Sequence, residues 1–399
     1  VSETVVIVGA GFGGLYTALA LAEQRHPPSI LLIEPNPRFL FLPLLYELLS
    51  AELRSWEIAP RYEDLLAGRG VAWLQDRVER IDLPTRTLRT HAGRHLDWGR
   101  LVLACGGETD SFGIAGVDRC TLGFRTLADV ERLQELLARL RRERRPLQRL
   151  AVVGAGPTGV ELACKLADLA GDSALVELME QGERLLPGSR GFSREQAQLA
   201  LQRRDVRLRT RTRVTAVEPD RLRLLSRPQG EGAAAAEEIL PVSGVIWTAG
   251  LRFRPPCLEP EPPRDARGRL LCHADLRLQG HDDVFVVGDL ANLPGPEDDT
   301  PLPSTAQVAF QQAPVAAANL IRSLAGESLE PFRFQELGEM LSLGVGEASL
   351  SGLGINLAGP AAYQLRRLAY LTRLPRRSLQ WRVAAGWLAD WSRPPGAVP

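Results

Sequence analysis

Two stretches of this chain share one hydrophobic pattern: a short, fully apolar run, a glycine-rich break, and a longer run whose alanines and leucines recur at helical spacing. Val5-Val6-Ile7-Val8 leads through Gly9-Ala-Gly11-Phe-Gly13-Gly14, and Leu150-Ala151-Val152-Val153 leads through Gly154-Ala-Gly156-Pro-Thr-Gly159. A continuous apolar run bounded by glycine predicts a buried parallel strand, and the recurrence after it predicts a helix. Each copy is followed by a further apolar run, Ile30–Ile33 and Leu175–Met179, that ends on an acid. Glu34 stands twenty residues after Gly14, and Glu180 twenty-one after Gly159. Glu177 lies inside its run and reads as a strand residue.

Each glycine of such a turn has its own physical task. The first permits the tight turn, the second lets the backbone approach a pyrophosphate, and the third allows helix to pack on strand, so that phosphates meet the positive helix N-terminus. A carboxylate at the end of the next strand can accept hydrogen bonds from ribose hydroxyls. Strand, turn, helix and acid occur together twice, 145 residues apart. That predicts an α/β chain with two Rossmann-like dinucleotide-binding domains, a domain-scale duplication and not a solenoid.

Between the copies, a helix rich in arginine and glutamate is predicted over about 127–144. Gly230–Glu237 and the proline-rich Arg254–Pro263 read as surface loops or crossovers. Val284-Phe-Val-Val-Gly288-Asp289 predicts a buried strand ending in glycine and acid, and a helix is expected from about Ser304 to Leu324. The resulting partition is a first domain over 1–118 and 256–325, an inserted domain over 119–255, and a C-terminal region over 326–399.

Composition narrows the class. The chain has 399 residues, 45% of them hydrophobic, with 48 basic against 48 acidic side chains. Such balance argues against a nucleic-acid binder held by bulk charge. Cys105, Cys120, Cys164, Cys257 and Cys272 form no close pair, so neither a disulfide framework nor a metal site is expected, and a reducing compartment fits best. The first strand begins within a few residues of the N-terminus, which leaves no room for a leader, and no run reaches membrane-spanning length. A position on the cytoplasmic side follows as an expectation.

The balance of charge hides a local asymmetry. From Ala361 onward stand Arg366, Arg367, Arg373, Arg376, Arg377, Arg382 and Arg393 against the single acid Asp390, interleaved with Tyr363, Tyr370, Trp381, Trp387 and Trp391. Val383, Trp387 and Trp391 recur at a spacing of four, and Pro375 is expected to divide the segment into two helices. Basic residues beside a tryptophan-bearing stripe suit an interfacial helix, with arginines at headgroups and aromatics in the boundary. A helical hairpin packed on the body, or a homodimer interface, has the same pattern.

Gly9-x-Gly11-x-x-Gly14 with Glu34, Leu101-Val-Leu-Ala-Cys-Gly-Gly107, the second fingerprint with Glu180, Val245-Ile-Trp-Thr-Ala-Gly250 and Val287-Gly288-Asp289 occur in an order that resembles the two-dinucleotide-domain flavoproteins. Ala306-Gln307-Val-Ala309-Phe-Gln311-Gln312 and Gly159-Val-Glu161 make the chain similar to type II NAD(P)H:quinone oxidoreductases. Phe39–Glu47, Trp56–Pro60, Gly123–Thr126, Leu337–Met340 and Leu350–Ile355 resemble that family's cyanobacterial and plastid branch.

The resemblance implies FAD in the first domain and NAD(P)H as co-substrate in the inserted one. It implies a cofactor-contacting set of Gly9, Gly11, Gly13, Gly14, Glu34, Gly106, Gly288, Asp289, Ala306, Gly154, Gly156, Gly159, Glu180 and Gly250. It further implies Glu161, Gln311 and Gln312 beside the reacting quinone, and peripheral attachment to a thylakoid or plasma membrane where a prenylated quinone resides. For this branch the implied substrate is demethylphylloquinone, reduced to its quinol before ring methylation in phylloquinone (vitamin K1) synthesis. Plastoquinone or ubiquinone reduction, and a nucleotide-binding redox sensor, are the alternatives. Glu161 also reads as an acid placed by the helix dipole, and the two glutamines as solvated helix residues. Glu180 favours NADH by charge, whereas Arg184 offers a partner for a 2′-phosphate.

Overall fold

The computed structural model describes residues 4–143, 145–227, 235–295 and 301–391. Most of the Gly230–Glu237 loop, and Arg393 of the tail, lie outside them. The chain divides into two compact units: unit 1 comprises 1–40, 59–108 and 251–336, and unit 2 comprises 41–58, 109–250 and 337–399. The 41–58 segment and the chain from 337 onward thus group with the second fingerprint. Ion pairs described below and the ring contacts of Phe41 with Tyr370 and Tyr46 with Phe124 join these segments.

In chain order the strands of the two central sheets are β1 (Val5–Val8), β2 (Ile30–Ile33), β3 (Val71–Leu74), β4 (Arg100–Leu103), β5 (Arg149–Val153), β6 (Leu175–Met179), β7 (Arg207–Arg209), β8 (Gly244–Trp247) and β9 (His281–Val286). A meander of β10 (Glu339–Ser342), β11 (Ala348–Gly352) and β12 (Ile355–Gly359) follows. The helices that frame the sites are α1 (Phe12–Ala22), α2 (Leu45–Leu49), α3 (Leu127–Glu143), α4 (Pro157–Ala170), α5 (Ala306–Ala325), α6 (Pro360–Leu371) and α7 (Arg377–Trp391).

Unit 1 has the parallel order β9-β4-β1-β2-β3, with a short antiparallel strand, Arg277–Leu278, outside β9. Unit 2 has the parallel order β7-β6-β5-β8. All four residues of β1 are buried, without the alternation of a half-exposed strand, because a parallel sheet is covered on both faces. In each unit the fingerprint strand is central, between the acid-bearing strand and a later one. Chain order reverses there, which opens a crevice beyond the strand carboxyl ends, at the glycine turn.

The helix expected over 127–144 is α3, and the one expected from Ser304 is α5, whose N-cap Thr305 accepts the Val308 N–H at 3.3 Å. The tail forms two helices divided around Pro375, as proline predicts.

The structure shows which way two members of the tail's stripe face. Val383 is 1% exposed, and Trp387 Nε1 donates to Glu57 Oε1 at 3.0 Å, so these two members of the four-residue stripe pack inward within unit 2. Arg366 is buried, Arg367 lies 4.1 Å over the Trp387 ring and Arg382 lies 4.4 Å over Trp56. Arg366 is thus spent inside the fold, and Arg367 and Arg382 lie over tryptophan rings. The outward apolar side chains are Leu365, Leu368 and Trp381, the last 77% exposed. Among the described residues no helix is long and apolar enough to cross a membrane.

Candidate functional site

The first cradle starts at Gly9, whose φ of +93° belongs to glycine and whose Cβ, if present, would lie 2.6 Å from the Ala104 oxygen. At Gly14 a Cβ would lie 1.9 Å from the Gly9 oxygen, so α1 reaches the turn only because no side chain intervenes. Gly11 is the opposite case: a Cβ there meets no protein atom within 4 Å. Its backbone faces open space at the head of α1, whose first turn carries no acid. Gly13 packs α1 against Val287, and Gly106 follows Cys105, whose Cα faces Gly9.

The Glu34 carboxylate is fixed toward this turn, Oε2 accepting the Ala10 N–H at 3.0 Å and Oε1 the Asn36 N–H at 3.0 Å. Tyr62 donates its buried hydroxyl to the Ala10 oxygen at 2.7 Å. Burial and the neighbouring Glu34 push that hydroxyl's pKa up, so it stays a donor. Sequence reasoning missed Tyr62, because nothing local marks a contact 52 residues away.

The second cradle repeats the first almost atom for atom. Gly154 has φ +103°, a Cβ on Gly159 would lie 1.7 Å from the Gly154 oxygen, and Gly156 faces open space at the head of α4, again without an acid in its first turn. Glu180 Oε2 accepts the Ala155 N–H at 2.9 Å, and Oε1 accepts the Gly182 N–H at 2.7 Å. The Ala155 oxygen is taken by the Leu186 N–H at 2.8 Å, the place that Tyr62 fills in unit 1. Beyond β8, Gly250 turns with the Phe112 ring against it, and Trp247 Nε1 donates to the Asp110 oxygen at 2.8 Å. Arg184 is exposed.

At the end of β9, Gly288 and Asp289 form a single 3-10 turn beside the head of α5, with Ser304 Oγ 3.5 Å from the Asp289 oxygen and Ala306 opening the helix. The two glutamines differ in setting, Gln312 being buried and Gln311 half-exposed. Gln312 is 1% exposed and accepts the Gly288 N–H through Oε1 at 2.6 Å. Gln311 donates from Nε2 to the Gln335 oxygen at 2.9 Å and accepts the Gln335 N–H at 3.0 Å, fastening that segment to α5.

Glu161 occupies a different place, inside unit 2. Its Oε1 accepts the Ser342 N–H of β10 at 2.7 Å, Tyr46 of α2 hydrogen-bonds it, and Arg366 Nη2 stands 3.8 Å away. Burial pushes its carboxyl up to about 7, against the pull of Arg366, the Ser342 N–H and Tyr46. Arg366 pairs with Glu47, and Lys165, one turn further along α4, pairs with Glu52. All the cysteines are unpaired, Cys105 being exposed, and among the described residues no cluster could hold a metal.

These residues fit two dinucleotides. Each cradle offers bare backbone, a helix head free of acid and a carboxylate held rigid by backbone donors. Gly9, Gly11, Gly14, Glu34 and Asp289 would hold FAD; Gly154, Gly156, Gly159 and Glu180 would hold NAD(P)H.

Residues 3–313 match the family described as pyridine nucleotide-disulphide oxidoreductase. The demethylphylloquinone reductase NdbB of Synechocystis is 40% identical, over 97% of each chain. An alternative NAD(P)H-ubiquinone oxidoreductase of Arabidopsis thaliana is 35% identical over 96% of this chain and 80% of its own. In fold, the chain is similar to the NDH2 of Plasmodium falciparum solved with NADH, with a TM-score of 0.85 at 17% identity and 99% of both chains covered. With the family match running through both glycine cradles and the Gly288 turn, the chain belongs to the pyridine nucleotide-disulphide oxidoreductases, whose typical cofactors are FAD and NAD(P)H.

Proposed function

We propose that this chain is an NAD(P)H:quinone oxidoreductase that reduces a prenylated naphthoquinone of the demethylphylloquinone type to its quinol at a membrane surface. The observation that carries the reading is the 40% identity to the Synechocystis reductase over nearly the full length of both proteins. The Arabidopsis relative supports a second reading, a benzoquinone as physiological acceptor.

FAD, when bound, would supply the hydride chemistry that links NAD(P)H to the quinone. The protein's share is position and protons. The two helix heads neutralise pyrophosphate charge, and Glu34 and Glu180 fix the riboses. Gln312 holds the Gly288 turn, which would keep Asp289 in place for a ribitol hydroxyl. Quinone reduction consumes one proton beyond the hydride, and Glu161, with a carboxyl near neutrality, is suited to hold it. Glu180 disfavours a 2′-phosphate by charge, which supports NADH over NADPH. The outward Leu365, Leu368 and Trp381 support contact with lipid, in place of the inward-packed stripe.

The test is anaerobic reduction of the flavin by NADH and by NADPH, followed by reoxidation with demethylphylloquinone and with plastoquinone in lipid. Fast reoxidation by the naphthoquinone is expected. A preference for plastoquinone selects the second reading, and reoxidation by neither overturns both in favour of a sensor.

A further inference from the structure

Two carboxylates and one guanidinium meet in the interior of unit 2. Arg366 Nη1 donates to Glu47 Oε1, and Nη2 donates to the Pro43 oxygen at 2.5 Å. The Arg366 and Glu47 side chains are 1% and 0% exposed. The 3.8 Å from Nη2 to Glu161 Oε1, by contrast, is beyond hydrogen-bond length. Arg366 therefore belongs to Glu47 and only brushes Glu161.

Charge counting gives this arrangement its meaning. One buried cation neutralises one buried carboxylate, and a second carboxylate in the same dry space is left to hold a proton. The remaining groups that face Glu161 bring no compensating charge. Tyr46 from α2 and Tyr370 from α6 have hydroxyls that burial keeps protonated, and burial likewise pushes the Cys164 thiol of α4 up. β10 contributes the Ser342 N–H alone, and Lys165 is occupied by Glu52. Burial opposes the charge on Arg366, but Glu47, with Tyr370 and Glu161, outweighs it and holds the guanidinium above its ordinary value.

We propose that Glu47 is a positioning residue for Glu161: by holding the Arg366 guanidinium it prevents Arg366 from pairing with Glu161, and so leaves Glu161 able to take up and release a proton. Glu47 touches neither cofactor cradle and acts through Arg366. Only the kinetic arm of the test rests on the quinone-reductase reading.

The test substitutes Glu47→Gln in the flavin-loaded enzyme. The carboxylic acid carbonyl band of Glu161, assigned by its loss in Glu161→Gln, is titrated by infrared spectroscopy without quinone. In Glu47→Gln the freed guanidinium is expected to lower the midpoint of that band by about 1–3 pH units. The alkaline limb of the kcat profile for quinone reduction should move down with it, while KM for NAD(P)H stays. Glu47→Asp, which keeps the charge on a shorter arm, should fall between Gln and wild type. An unmoved midpoint in Glu47→Gln overturns the proposal. If that variant loses flavin, the same titration of Glu47→Asp decides, and an unmoved midpoint there overturns it. A wild-type enzyme that reduces no quinone but shows the infrared shift refutes the functional reading and leaves this one standing.

Discussion

The Gln312 side chain holds the Gly288 amide, Oε1 accepting its N–H at 2.6 Å in a site 1% exposed. Replacing the acceptor with an apolar isostere strands a buried donor, at a cost of about 1–3 kcal/mol. Gln312→Met is therefore expected to lower thermal stability and flavin occupancy together, whereas Gln312→Glu, which keeps an acceptor, should retain both. Flavin-to-protein absorbance ratios and melting temperatures check this. Equal occupancy in the two variants would remove Gln312 from the turn.

Open space at Gly11 and Gly156 separates binding from folding. A side chain at either position meets no protein atom, so Gly11→Val and Gly156→Val should both fold. Gly11→Val should be colourless. Gly156→Val should be yellow but unreduced by NAD(P)H in anaerobic stopped flow. A yellow Gly11→Val protein would refute the assignment of FAD to unit 1.

Glu161 makes stability depend on pH with a definite sign. Its folded carboxyl titrates near 7 against an ordinary 4.5, so the folded chain holds an extra proton across that window. Stability is fully present below the lower value and is lost as pH rises through the upper one. Glu161→Gln should flatten the denaturant midpoint between about pH 5 and pH 8, in a series taken at about half-unit steps. A wild-type midpoint that climbs with pH there, and flattens in the variant, would reverse the sign.

The exposed apolar side chains of the tail allow a cleaner membrane test than truncation. Leu368→Ser with Trp381→Ser should weaken partition into anionic vesicles roughly tenfold or more, at unchanged melting temperature. Deleting residues after Pro360 should instead destabilise unit 2, because it removes the partner of a buried carboxylate, a loss of about 3–5 kcal/mol. Unchanged partition of the double variant would count against lipid contact at this face.

What the sequence disclosed was what short spacing encodes. The glycine turns, their acids and the strands around them are local, and so the outline of each cradle was legible. Tyr62, Glu47 and Arg366 were not, since each acts across a long stretch of chain that no window spans. Val383 and Trp387 were left open for another reason: a stripe at helical spacing says that one face is apolar and not what covers it. The backbone bonds of Gln311 and Gln312 were not legible either, since an amide suits a quinone carbonyl, water or backbone equally well, and only the fold reveals which backbone groups need it.

Glu47 and Arg366 stand 319 residues apart. At a synthesis rate of about 5–20 residues per second, the carboxylate leaves the ribosome roughly 15–60 s before its guanidinium exists. Until Arg366 is made, the interior of unit 2 can close over Glu47 only if that carboxylate takes a proton, as Glu161 does, so the segment around Glu47 gains its cation when almost the whole chain is made. The unit that takes in one of the earliest segments is thus completed among the last, and a nascent chain halted before Arg366 carries a Glu47 carboxylate without its cation.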